Sequence, residues 1–220
     1  QPVRASASAD QIAQLSDMLR QAKRPFVIAG GGGWTPAAVE NLRVFAERNA
    51  LPVGVSFRNQ DVFDNNHPNY AGDVGIGLNP KLAARVRESD LLIVLGPRLG
   101  EITTSGYTLI EAPVPRQPLV HVHPGAEELG RVYQPRLMIN AGMPEITAAL
   151  AAVQVDAGAW RERLAQARAD YEGWQQRPPA MASLSPALDL WQVVQTLRQQ
   201  LPADAVITNG AGNFATWAHR

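Results

Sequence analysis

Four consecutive glycines, Gly30, Gly31, Gly32 and Gly33, follow the apolar run Pro25-Phe-Val-Ile-Ala29 and precede Thr35-Pro36. Glycine lets a backbone approach a ligand closely, and a helix that starts just afterwards offers free N–H groups to an anion. The chemistry on offer is phosphate binding. The fingerprint GxGxxG is not met, because Thr35 stands where the last glycine belongs. The next apolar run ends in Ser56-Phe57-Arg58, without the acid that holds a ribose in NAD sites. A tight turn with no ligand explains the glycines equally well. A second candidate is Gly96-Pro97-Arg98, after Leu91-Leu-Ile-Val-Leu95. Gly96 permits close approach, and the planar guanidinium of Arg98 suits a phosphate. The alternative is a surface ion pair, with Glu101 as partner. His121 and His123 alternate along an apolar run and so share a face. Beyond Glu127 or Glu128 no third ligand is near, which falls short of a zinc site. His123, at the end of that run, instead suits the lining of a cleft. Asp61, Asp64 and His67 form a polar group with no nucleophile beside them, and no G-x-S-x-G run is present.

These residues need a scaffold that gathers strand ends. Ile12, Leu15, Leu19 and Ala22 recur at helical spacing behind Asp10. Strand, glycine loop, helix (from Thr35 to near Asn49) and strand (51–56) make a βαβ crossover. Asn79-Pro80 starts another helix, and Leu91–Leu95 is apolar throughout, as a central parallel strand must be. Runs 119–123 and 136–139 are two further strands, and a helix over 144–153 closes the block. The expectation is α/β: a doubly wound, Rossmann-like parallel sheet over residues 1–153. The connections 57–77 and 97–118 are long, and such loops are usually functional or disordered. Trp160, Leu164, Ala167, Tyr171 and Trp174 then predict an amphipathic helix. A Pro-rich linker ends at Pro186, so 154–186 reads as a helical connector. Residues 187–220 hold one helix, the strand-like Ala205-Val-Ile-Thr208 and a Gly-rich turn, the start of a further α/β domain.

Composition narrows the classes. Lys plus Arg is 20 and Asp plus Glu is 20, so no overall charge favours nucleic acid or an anionic membrane. Apolar residues at 45% and charged ones at 18% indicate a folded globular chain. Cys is absent, which excludes disulfides, thiolate zinc sites and a cysteine nucleophile. No apolar run approaches the ~20 residues of a membrane span. The chain begins without Met and ends after a strand-like run, so a piece of a longer protein is expected.

Several stretches together resemble the central domain of thiamine-diphosphate-dependent enzymes of the acetolactate synthase type. They are Arg24-Pro-Phe-Val-Ile-Ala-Gly-Gly-Gly32, Leu51-Pro-Val, Asp64-Asn-Asn-His-Pro-Asn-Tyr-Ala-Gly72-Asp-Val-Gly75, Ser89-Asp-Leu-Leu-Ile-Val-Leu-Gly96-Pro-Arg98 and Val120-His-Val-His with Glu128-Leu-Gly130. Leu201-Pro-Ala-Asp-Ala-Val-Ile-Thr-Asn-Gly-Ala-Gly212-Asn-Phe-Ala-Thr-Trp217 looks like the opening of the diphosphate-binding domain of the same family.

The resemblance implies a parent that makes or breaks a carbon–carbon bond beside the carbonyl of a 2-oxo acid. Its cofactors would be thiamine diphosphate and Mg2+, with FAD or ADP possible in the central domain. The family's activating glutamate and its GDG metal motif belong to the flanking domains, so catalytic residues in this chain are expected to be none. The nucleotide-contact positions carried over are Gly30, Gly31, Gly32, Ser56, Phe57, Gly96 and Arg98, with His123 where an acid is usual. Gly210, Gly212 and Asn213 fall at the entrance of the third domain, Gly210 replacing the usual Asp. A cytoplasmic homo-oligomer, dimer or tetramer, is expected, with no nucleic-acid or membrane partner. The competing readings are a stand-alone nucleotide-binding or subunit-docking module, and a NAD-dependent deacylase-like enzyme.

Overall fold

The computed structural model describes residues 4–176, 189–202, 204–208, 210, 212 and 217. The chain divides into two compact units, Gln1–Tyr171 and Glu172–Arg220. The first holds six parallel strands: β1 (Pro25–Ala29), β2 (Val53–Ser56), β3 (Tyr70–Val74), β4 (Leu91–Leu95), β5 (Leu119–His123) and β6 (Leu137–Asn140). Their order is β3-β2-β1-β4-β5-β6, the order of doubly wound nucleotide-binding sheets. The expected fold class is therefore the observed one. β1 and β4 pair in register from Pro25 with Leu91 to Ala29 with Leu95, and every residue of both is buried. That is why their sequences are continuously apolar rather than alternating.

Alternate residues of each strand feed two cores. Val27, Val55, Ile93 and Val122 face Leu15 and Leu19 of α1 (Ala9–Gln21), Leu42 and Phe45 of α2 (Pro36–Arg48) and Ile146 and Leu150 of α4 (Met143–Leu150). Phe26, Ile28, Leu92 and Val94 face Leu82 and Val86 of α3 (Pro80–Glu88) and Ala167 of α5 (Arg161–Trp174). Side chains of a strand point alternately to its two faces, so one apolar run serves both layers.

Local chemistry sets the helix starts. Ser8 and Gln11 form a capping box on α1, and Thr35 accepts from the Ala38 amide ahead of α2. Asn79 accepts from Lys81 N ahead of Pro80 in α3.

Two expectations change. The connection 57–77 is not one long loop, because it contains β3, an edge strand paired to β2 through Val55 with Asp73 and Ser56 with Val74. The connection 97–118 runs without a helix, yet it buries Leu99, Leu109 and Ile110 in the second core. It does the covering work of a crossover helix. In the second unit, α6 (Leu190–Gln200) is the helix read there, started by Asp189 accepting from Trp191 N. Residues 205–208 form no ladder among the described residues, and Val206 and Ile207 are exposed. A parallel strand needs a neighbour to bond with, and none is described beside it.

Candidate functional site

The ends of β1, β2 and β4 converge at the carboxyl edge of the sheet. Gly30 N donates to Leu95 O at 3.1 Å and Gly96 N to Val122 O at 2.9 Å, so the ladder continues past the strands. A Cβ on Gly30 would lie 1.9 Å from Ser56 Oγ, and one on Gly31 would lie 2.2 Å from Gly96 O. One on Gly96 would lie 2.3 Å from Gly30 O. Gly31 and Gly96 also sit at φ +70° and +92°, in the left-handed region. These three glycines are required by packing alone.

Gly32 is different, since a Cβ there meets nothing within 4 Å, and the same holds for Gly33. Their amides have no partner among the described residues. The run thus divides into a packed half and an open half, and the open half is where a ligand has room. Gly32→Ala is accordingly expected to change folding stability by less than about 0.5 kcal/mol in urea melts, as surface changes usually do. A loss above about 2 kcal/mol would mean that Gly32 is packed too.

The loop is held from outside. Asn59 Oδ1 accepts from Gly31 N at 3.1 Å and from Ser56 Oγ at 2.8 Å, while its Nδ2 donates to Gly31 O at 3.1 Å. The Trp34 indole N–H donates to Gly30 O at 2.7 Å. The start of α2 offers less than expected: Thr35 takes the Ala38 N–H, and Pro36 has none to give. The loop amides, rather than the helix end, are the donors on offer.

Arg98 leaves the end of β4 with its side chain 65% exposed. Its Nε lies 3.2 Å from Glu128 Oε2, which Arg131 also approaches at 3.3 Å. Its ion-pair partner is therefore Glu128, after β5, and not Glu101. His123 Nδ1 lies 3.0 Å from both Gly125 N and Gly125 O, so Gly125 engages it in either tautomer. His121 is buried and its Nε2 donates to Pro97 O at 3.1 Å. Burial is the main reason its imidazolium is disfavoured and its pKa lowered. No cluster among the described residues suits a metal ion.

Phe57 packs beside Gly75, with the Arg58 guanidinium 5.1 Å from its ring centre. Asp61, Asp64 and His67 do not converge on a reaction centre. His67 Nε2 meets Glu47 Oε1 at 2.9 Å, and Asp64 Oδ1 accepts from Asn66 N in a turn. Gly210 is exposed, as is Gly212, and Asn213 lies outside the described residues.

Two contributors escaped the sequence reading, Asn59 and Asp73, while Glu128, weighed there only as a metal ligand, is instead the partner of Arg98. Asp73, on β3, directs Oδ2 to Gln60 Nε2 at 2.8 Å, and its Oδ1 is buried with no partner among the described residues. An acid within the otherwise apolar β3 was the available signal.

A family model described as "Thiamine pyrophosphate enzyme, central domain" matches residues 12–150. The chain belongs to this family. The Escherichia coli acetolactate synthase isozyme 2 large subunit is 26% identical, over 94% of this chain and 36% of that protein. The acetolactate synthase large subunit of Parasynechococcus marenigrum is 27% identical, over 94% and 33%. A sulfoacetaldehyde acetyltransferase of Alcaligenes xylosoxydans xylosoxydans is 25% identical, over 92% and 38%. The chain thus spans about a third of the length of these relatives. This thiamine pyrophosphate enzyme central domain contains no Gly-Asp-Gly run, so none of its residues fits the metal-and-diphosphate role that the resemblance assigns to that motif. What the central domain does have at this edge is open backbone at Gly32 and Gly33 and an exposed Arg98 side chain. No helix among its described residues is long and apolar enough to cross a membrane.

Proposed function

We propose that this central domain serves a thiamine-diphosphate-dependent 2-oxo-acid lyase or carboligase of the acetolactate synthase type, as a nucleotide-binding or structural domain with no turnover of its own. The layout is a central domain over 1–153, a connector over 154–186 and the start of the diphosphate-binding domain over 187–220. Thiamine diphosphate and Mg2+ act elsewhere in the parent, a cytoplasmic homo-oligomer. The observation that carries the nucleotide reading is the open Gly32–Gly33 backbone, next to Gly31 packed on the Gly96–Pro97 backbone that leads into the exposed Arg98, at the point where strand order reverses between β1 and β4. ADP or FAD is the ligand class, because both present a diphosphate to those donors. The ribose is held less well, since His123 Nδ1 is already engaged by Gly125 in either tautomer.

Titration calorimetry with ADP and adenosine tests this. Arg98→Ala is expected to weaken ADP about tenfold, the worth of one charge-assisted hydrogen bond, and to leave adenosine unchanged. Equal weakening of both, or no change, removes Arg98 from the site. Supplied with pyruvate, thiamine diphosphate and Mg2+, the purified chain is expected to release no CO2 and form no acetolactate. Turnover above the enzyme-free rate overturns the proposed role.

A further inference from the structure

We propose that Asp73 is the positioning residue of the glycine loop, acting through Gln60 and Asn59. The links are consecutive. Asp73 Oδ2 holds Gln60 Nε2 at 2.8 Å, and Gln60 opens the short 3-10 turn Gln60–Val62. The residue before that turn is Asn59, whose side chain grips Gly31 by both its N–H and its carbonyl. The same turn is tied from below by Asn65, which donates to Gln60 O at 2.7 Å. Only the Asp73 link in this chain carries a group that changes charge.

The surroundings of that carboxyl set its behaviour. Gly75 and Phe57 pack against it: a Cβ on Gly75 would lie 3.0 Å from Asp73 Oδ1 and 2.8 Å from Phe57 Cβ. Val55 stands opposite on β2. Of the nearby charged or titratable groups, Arg58 lies over the Phe57 ring, Arg168 bonds the carbonyls of Asn65 and His67, Asp61 is exposed and Tyr70 is a buried phenol. Among the described residues no cation is bonded to Asp73, whose one side-chain partner is the neutral Gln60. Burial pushes its carboxyl up to about 7, against the smaller opposing pull of the Gln60 bond. Ionised, Oδ1 has no donor, whereas the neutral acid leaves only an unpaired hydroxyl or carbonyl, which costs less. Asp73 as a residue is part-buried while its Oδ1 is sealed from water, so ionisation favours an outward turn of the side chain. Turning outward releases Gln60, loosens the turn and weakens the grip of Asn59 on Gly31. The loop is held firmly below neutral pH and loosely above it.

This deepens the nucleotide reading and rests on it for its biological meaning, but the latch itself is measurable without a ligand. In the whole 15N-labelled chain, the Gly31 amide and the Gln60 side-chain amide are followed by NMR across the neutral range. Gly31 is expected to titrate with a midpoint near 7, the value about which Asp73 changes charge. Its intrinsic-rate-corrected exchange should quicken about tenfold across that midpoint, as local opening does. Asp73→Asn should flatten both signals, and Gln60→Ala should uncouple Gly31 from pH while leaving Asp73 titrating. A flat Gly31 in the unmodified chain, or a titration that survives Asp73→Asn, overturns the latch. ADP calorimetry at two pH values, one on each side of neutrality, separates the two claims. A titrating Gly31 with no ADP binding at either pH keeps the latch and defeats the nucleotide reading. ADP binding with a flat Gly31 does the reverse.

Discussion

Asn49→Ala is expected to cost about 4 kcal/mol of folding stability, because it orphans two buried backbone groups at roughly 2 kcal/mol each. Asn49 is fully buried at the end of α2. Its Nδ2 donates to Phe45 O at 2.9 Å and to Val153 O at 3.0 Å, and its Oδ1 accepts from Val155 N at 2.8 Å. Phe45 O keeps a second donor in the Asn49 amide, so it is not orphaned. Val153 O and Val155 N lose the side-chain partner that fixes them, inside the apolar cluster that includes Val153, Val155 and Trp160. The Trp160 indole also donates to the Asn49 carbonyl at 2.8 Å, so this residue, with Arg48 donating to Ala151 O at 2.7 Å, pins the segment leading into α5 to the end of α2. Asn49→Asp should do no better, since it turns a donor into a second acceptor facing two carbonyls. Urea melts read the difference, and a loss below about 1 kcal/mol for the alanine variant would mean that water enters and replaces the side chain.

Asp73→Asn should act in the opposite direction and only at one end of the pH scale. The carboxyl rises from an ordinary 3.8 to about 7 on folding because burial penalises its charge. The folded state therefore binds a proton more tightly than the unfolded chain. Stability is full below the unfolded value, falls as pH climbs through the interval, and stays reduced above about 7. A rise of that size corresponds to a ceiling on the order of 4 kcal/mol, and outward rotation of the ionised side chain caps the true cost nearer about 2 kcal/mol. An asparagine side chain at this position cannot ionise. The variant is thus expected to exceed the parent by about 2 kcal/mol at about pH 8 and to match it near pH 4. An advantage that is the same at both pH values would assign the effect to packing instead.

The sheet was readable where burial demanded continuous apolar runs. β1, β4 and β5 are covered on both faces, and their compositions say so. β3 was not, because Tyr70-Ala-Gly-Asp-Val74 carries a glycine at φ +120° and an acid, both poor in strands, at the sheet edge. The strand is specified by its neighbours: Tyr70 stacks edge-on against Tyr171 of α5 at 4.9 Å, and a Cβ on Gly72 would meet Leu82. The glycine loop was visible as a run, but its division into packed and open halves was not, since that depends on where the ends of β2 and β4 lie. Glu128 was invisible as the partner of Arg98 for the same reason. The two are thirty positions apart in sequence and adjacent only because β5 lies beside β4. Asn59 belongs to a polar loop whose composition gives no hint that one of its amides clamps a glycine loop far upstream.

The attachment of α1 bears on how the chain is made. Gln11 Nε2 donates to Met138 O at 3.1 Å, across a separation of 127 residues, and Gly142 N donates to Ala5 O at 3.1 Å. α1 therefore leaves the ribosome roughly ten seconds before its docking strand is synthesised, at ordinary elongation speeds. Through that interval Leu15 and Leu19 have only part of their final cover, and β4 waits for β5. Nascent chains stalled before Leu137 should accordingly be caught by chaperones that bind the α1 segment, and those stalled well beyond Leu150 should not.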